Sequence, residues 1–127
     1  MLKKWKIGNH RAWFDESKEV LYYSINGEYS GLEHREFLKL YPIAFKGVEE
    51  KFAIVDLSKA TPLNKKTRQA MKEEEDKVAE GTDKMAFIGA SPAIRMVAKI
   101  AMKLSKNKNV AFFKSEEAAL EWFKNNA

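Results

Sequence analysis

Lys84-Met85-Ala86-Phe87-Ile88-Gly89-Ala90-Ser91-Pro92 is the stretch that decides the fold of this chain. Met85 to Ile88 is an unbroken apolar run, the pattern of a strand covered on both faces. Gly89 and Ala90 interrupt it, and Ser91 followed by Pro92 is a helix start. A serine there accepts a bond from an amide that the first turn leaves unpaired. A proline at the first helical position loses nothing, because its missing N–H would have no partner. A buried strand that feeds straight into a helix is half of a β-α-β unit.

The same motif recurs on either side. Upstream, Phe52-Ala53-Ile54-Val55 is a second unbroken run, followed by a helix that Thr61-Pro62 starts and Gly81 stops. The helix after Ser91 extends to about Leu104. Downstream, Val110 to Phe113 is the last strand, and Ser115 caps a final helix bearing Ala119, Trp122 and Phe123. Further upstream, Ser30 and Glu33 form a capping box. The helix it opens carries Phe37, Leu40, Tyr41 and Ala44 inward, and Pro42 kinks or ends it. Ahead of it, His10 to Phe14 and Glu19 to Ile25 read as two strands around the polar turn Asp15-Glu16-Ser17-Lys18. The order β-β-α-β-α-β-α-β-α predicts one α/β domain over residues 1–127. Its sheet is mixed, mainly parallel and five-stranded, with four helices distributed over both faces.

Composition agrees. A chain of 127 residues that is 45% hydrophobic can enclose a core without a staple. It has no cysteine, which removes disulfides, thiolate zinc sites and cysteine nucleophiles together. The start, Met1-Leu2-Lys3-Lys4-Trp5-Lys6, is basic and lacks the apolar stretch of a signal peptide, and no run is long enough to span a bilayer. The expectation is a cytoplasmic protein, with peripheral membrane contact left open.

The succession of elements resembles the STAS domain, in its SpoIIAA-like branch, which is grouped with the lipid-binding CRAL-TRIO fold. The resemblance rests on Ile54-Val55-Asp56-Leu57-Ser58, on Phe87-Ile88-Gly89-Ala90-Ser91 with Arg95, and on Phe112-Phe113-Lys114-Ser115-Glu116-Glu117-Ala118-Ala119-Leu120-Glu121-Trp122-Phe123. It implies a STAS/SpoIIAA-like fold and a binding or regulatory role. STAS domains that switch by phosphorylation carry a serine at the start of the second helix. The matching stretch here is Asn64-Lys65-Lys66-Thr67, without serine or glycine, so the resemblance does not extend to phosphoserine switching.

Catalytic constellations are missing from the sequence. There is no Gly-x-Ser-x-Gly elbow, phosphate-binding Gly-rich loop or dinucleotide fingerprint. His10 and His34 stand on different elements without ligand spacing, and His34 reads as solvated surface. The run Glu73-Glu74-Glu75-Asp76 fans around its helix and cannot converge on one ion. The sequence therefore implies no enzyme, metal or cofactor.

The charge is more informative. The net charge is +5, yet between Lys84 and Ser115 there are seven bases and no acid. At about 100° per residue, Arg95, Lys99, Lys103 and Lys106 fall on one stripe of the helix after Ser91. The rest of that helix, including Met96, Ile100 and Leu104, is apolar over about twice the arc that one sheet face covers. Its neighbour from Thr61 to Gly81 has a thin inward stripe, with Leu63, Thr67, Ala70 and Met71 interrupted by Glu74. These second and third helices are the expected contact surface. Arg68, Gly89, Ala90, Ser91, Arg95, Lys99 and Lys103 would take an anionic headgroup. Met71, Met96, Ile100 and Leu104 would take an apolar body. The partner would be a lipid, another amphiphile or a membrane surface. The alternative is a homodimer or a protein partner on the same apolar arc. A third reading has neighbouring helices bury the arc while the bases only confer solubility. Nucleic acid ranks lower, because no stacking aromatics interleave with the basic stripe.

Overall fold

The structure, a computed structural model, describes residues 3–61, 65–67, 69, 82–95 and 109–125. Its sheet has six strands in chain order: β1 (Lys4–Ile7), β2 (His10–Asp15), β3 (Val20–Gly27), β4 (Phe52–Ala60), β5 (Lys84–Ile88) and β6 (Val110–Phe113). The pairings β1–β2 and β2–β3 are antiparallel; β3–β4, β4–β5 and β5–β6 are parallel. The expected mixed, mainly parallel α/β sheet is present, with one strand more than the five expected.

The added strand is β1. Lys4 and Lys6 are exposed while Trp5 and Ile7 pack half-buried against the main core. This period-2 alternation is only four residues long, too short to stand out from the basic run around it. Gly8-Asn9 then closes a two-residue hairpin, with Ile7 paired to His10. Gly8 has φ +59°, which suits the first position of such a turn.

The first helical layer starts at the expected capping box. The Ser30 hydroxyl accepts from the Glu33 amide at 3.1 Å, and the Glu33 carboxylate accepts from the Ser30 amide at 3.0 Å. Helix α1 spans Gly31–Leu38, and the short helix α2 spans Tyr41–Ala44 with Pro42 in its first turn. Pro42 thus separates two helices from a position where a proline forfeits no hydrogen bond. Phe37, Leu40, Tyr41 and Ala44 are all buried, as expected.

Neighbouring parallel strands joined in chain order by right-handed crossovers carry their helices on one side. Accordingly α1, α2 and Ile94 pack on one face of the sheet, against Leu21, Tyr23, Ala53, Val55 and Met85. The opposite face is covered by α3 (Glu116–Lys124), whose Ala119 and Phe123 pack on Val20, Tyr22, Ile54 and Ala86. Phe123 stacks on Phe52 at 4.6 Å between centroids. Ser115 caps α3 by accepting from the Ala118 amide at 3.2 Å.

His34 differs from expectation. It is buried, with Nδ1 3.0 Å from the Tyr29 hydroxyl. The Tyr29 ring, five residues earlier, stands edge-on to it at 5.7 Å between centroids. His10 is fully buried in the same place. Its Nδ1 accepts from the Asn26 amide at 3.0 Å, and its Nε2 lies 3.1 Å from Glu33 Oε1, off the line of a well-aligned hydrogen bond.

Candidate functional site

Parallel strands place ligand sites beyond their carboxyl ends, where helices begin. In this chain that corner is made by β4 and β5. Asp56 and Ile88 are the last pair in register; beyond them β4 runs on through Leu57-Ser58 to Ala60, while the chain leaves β5 through Gly89-Ala90-Ser91. The Ser58 amide donates to Asp56 Oδ1 at 2.9 Å, which folds the carboxylate back on its own strand.

Gly89 has φ +71°, and a Cβ added there would lie 2.9 Å from Ser58 Cβ and 3.1 Å from Asp56 Oδ1. The turn therefore runs hard against β4, a close approach that only glycine permits. Ala90 is buried behind it. Ser91 caps the next helix as expected: its hydroxyl accepts from the Ile94 amide at 3.3 Å, and its carbonyl accepts from the Arg95 amide at 2.9 Å.

Arg95 lies half-buried one turn in. Its Nη2 donates to the Ala90 carbonyl at 3.4 Å, while its buried Nε has no partner among the described residues. Gly89, Ala90, Ser91 and Arg95 are thus brought together, as the sequence predicts. Arg68, Lys99 and Lys103 lie outside the described residues, and so do Met71, Met96, Ile100 and Leu104.

The chemistry of the corner is narrower than the sequence suggests. Pro92 has no amide to offer, and the Ile94 amide is spent on Ser91. Asp56 adds a negative charge close to the turn. An anion at this end would therefore be held by the outer edge of the Arg95 guanidinium rather than by a cradle of amides. Thr67, which ends the stretch Asn64-Lys65-Lys66-Thr67, is buried at 4% exposure.

The opposite sheet face carries a groove of about 280 Å³ beside the start of α3. Trp13, Asp15, Lys18 and Tyr22 come from the β2–β3 hairpin, Ile54 and Asp56 from β4, Ile88 from β5, and Glu116 from α3. Sequence reading does not find this set, because its members are dispersed over four segments. Only strand alternation links any of them: Trp13 with Asp15, and Ile54 with Asp56.

Comparison with solved structures gives the same fold. An uncharacterized protein of the DUF3478 family with a SpoIIAA-like fold, from Shewanella loihica PV-4, is 16% identical over 96% of this chain and 94% of that one, with a TM-score of 0.64. The anti-sigma factor antagonist SpoIIAA in its unphosphorylated form is 11% identical over 98% and 99%, with a TM-score of 0.57. The STAS domain of a SulP transporter from Vibrio cholerae is 17% identical over 83% and 80%, with a TM-score of 0.58. The fold is that of STAS and SpoIIAA-like domains. No curated protein matches the chain. The family model described as "Domain of unknown function (DUF7793)" matches residues 32–127, and the chain belongs to that family.

Proposed function

We propose that the chain is a non-catalytic binding or regulatory module that engages an anionic amphiphile or membrane surface through residues 61–81 and 91–104. The observation that carries the reading is Arg95. It is a half-buried guanidinium at the ligand-binding end of a parallel sheet, with a buried Nε that no described residue satisfies. Around it the sequence supplies seven bases and no acid between Lys84 and Ser115. Arg68, Arg95, Lys99 and Lys103 take the headgroup charge, and Met71, Met96, Ile100 and Leu104 take the apolar part. Each base near an anionic leaflet contributes about 1 kcal/mol, so four give reversible, salt-sensitive attachment. Flotation with phosphatidylserine-containing liposomes tests this. Wild type floats at low salt, and a Lys99→Glu/Lys103→Glu variant stays in the dense fraction. Equal flotation of the two contradicts the proposal.

A second reading is a homodimer or protein-interaction module without phosphoserine switching. It draws support from the apolar arc that includes Met96, Ile100 and Leu104; Leu32 on α1 and Ile43 on α2, both exposed, are a separate apolar surface. The burial of Thr67 supports the absence of a phosphorylation switch. This reading predicts a dimer that survives high salt and dissociates on Ile100→Asp. Monomeric sedimentation at high concentration contradicts it.

A further inference from the structure

The groove on the α3 face is chemically unlike the basic segment. Three carboxylates line it (Asp15, Asp56 and Glu116) against one base, Lys18. That leaves a local charge of −2 on a chain whose net charge is +5.

Two of the carboxylates are already engaged. Asp15 accepts from the Ser17 amide at 3.0 Å, the Ser17 hydroxyl at 2.7 Å and the Lys18 amide at 3.1 Å, which ties up one oxygen in the turn. Glu116 accepts from the Tyr22 hydroxyl and lies 3.4 Å from the Lys18 ammonium. Asp56 differs. Among the described residues its one hydrogen bond is from the Ser58 amide to Oδ1, and no base comes within ion-pair distance. It is half-buried, where an uncompensated charge is held less comfortably than in open water. Among the described residues, no group of acids converges in a way that could hold a metal ion.

Apart from these charged groups the groove is lined by Ile54, Ile88 and three aromatic residues, Trp13, Tyr22 and Tyr23. Ile54 is fully buried, Ile88 is half-buried, and the Trp13 and Tyr22 rings stack at 5.3 Å, 2° from parallel. A volume of about 280 Å³ holds a ring with a short chain, not a long acyl tail.

The geometry points to a binding site for a small organic cation, an ammonium or guanidinium group on a flat apolar body. The cation pairs with Asp56 and the body lies over Ile54 and Ile88 beside the Trp13–Tyr22 pair. Charge complementarity selects the head, since an anion would meet three carboxylates. The aromatic wall adds the attraction of a π face for a cation. This site does not depend on the proposed role of residues 61–81 and 91–104, and it takes the opposite charge.

Three compounds with the same ring separate charge from shape: 2-phenylethylamine, protonated at neutral pH, 2-phenylethanol and phenylacetate. Titration is followed in ¹H–¹⁵N NMR spectra of the full chain, at the Trp13 indole and the amides of Ile54, Asp56 and Ile88. The amine shifts these signals saturably, the alcohol binds more weakly, and phenylacetate leaves them in place. Asp56→Asn keeps an acceptor for the Ser58 amide while removing the charge, and weakens amine binding by about tenfold. Should that variant fold poorly, Ile88→Lys puts an ammonium of the chain's own into the groove and abolishes amine binding. The site is refuted if phenylacetate binds as well as the amine, if folded Asp56→Asn binds like wild type, or if millimolar amine moves no groove signal.

Discussion

Replacing Gly89 by alanine tests whether β4 and β5 meet as closely as the geometry requires. Two costs fall on this position. A non-glycine residue with φ near +71° costs about 1–2 kcal/mol from its own Cβ against the following carbonyl. The added carbon also meets Ser58 Cβ at 2.9 Å and the Ser58 amide nitrogen at 3.1 Å. Those atoms belong to the strand, so relief needs backbone movement, and forced overpacking costs about 1–3 kcal/mol. The sum is about 2–5 kcal/mol. Gly47 supplies the control: its φ is +78°, and an added Cβ has nothing within 4 Å, so Gly47→Ala bears the first cost alone. In urea, with a slope of about 1.5 kcal/mol/M, the Gly89→Ala midpoint should fall below that of Gly47→Ala by about 1–2 M. Equal midpoints would mean that the turn stands off β4, and the packed corner behind Arg95 would have to be abandoned.

Two further outcomes follow from ionisation. Burial pushes all four tyrosines, Tyr22, Tyr23, Tyr29 and Tyr41, above the ordinary phenol value of 10.0, and the Glu116 carboxylate adds to the effect at Tyr22. A raised folded-state value means that stability is intact below pH 10 and is lost as the pH rises past it. Absorbance near 295 nm should therefore show phenolate forming in one step with the loss of helical circular dichroism. A tyrosine that titrates near pH 10 in the intact fold contradicts this. At Glu33, burial opposes ionisation, but the Ser30 amide, His10 and the Ser30 hydroxyl outweigh it and hold the carboxyl below its ordinary value of 4.5. A lowered value contributes stability above pH 4.5 that fades as the pH falls through it. Glu33→Gln should thus cost about 1 kcal/mol near neutral pH, and the gap should close in acid. Denaturation midpoints across pH check this, and a gap that does not change with pH refutes it.

The features legible in the sequence are those whose physics is local. Ser30, Ser91 and Ser115 each cap the helix assigned to them, because a cap needs only its own first turn. The apolar runs Phe52–Val55 and Met85–Ile88 become central strands, because continuous hydrophobicity admits little else at that length. Features set by long-range pairing were hidden. β1 is a four-residue alternation that gains meaning only once Gly8-Asn9 folds it onto β2. His34 is buried beside Tyr29, a contact that its place near the start of α1 does not announce. The closeness of Gly89 to Ser58 depends on the β4–β5 register. The groove joins Asp56 to Trp13 and Glu116 across three elements whose spacing in the chain, 43 and 60 residues, carries no pattern. The candidate site divides in the same way. Gly89, Ala90, Ser91 and Arg95 are gathered as their spacing implies, but the loss of free amides and the nearness of Asp56 come from the folded turn.

Native mass spectrometry of the purified chain tests the central claim most directly, by weighing whatever it retains. The account predicts that wild type carries an anionic amphiphile in sub-stoichiometric to equal amount, and that Arg95→Ala releases it while the chain stays folded. Wild type that flies as the bare polypeptide, and stays bare after incubation with phosphatidylserine micelles, would contradict it.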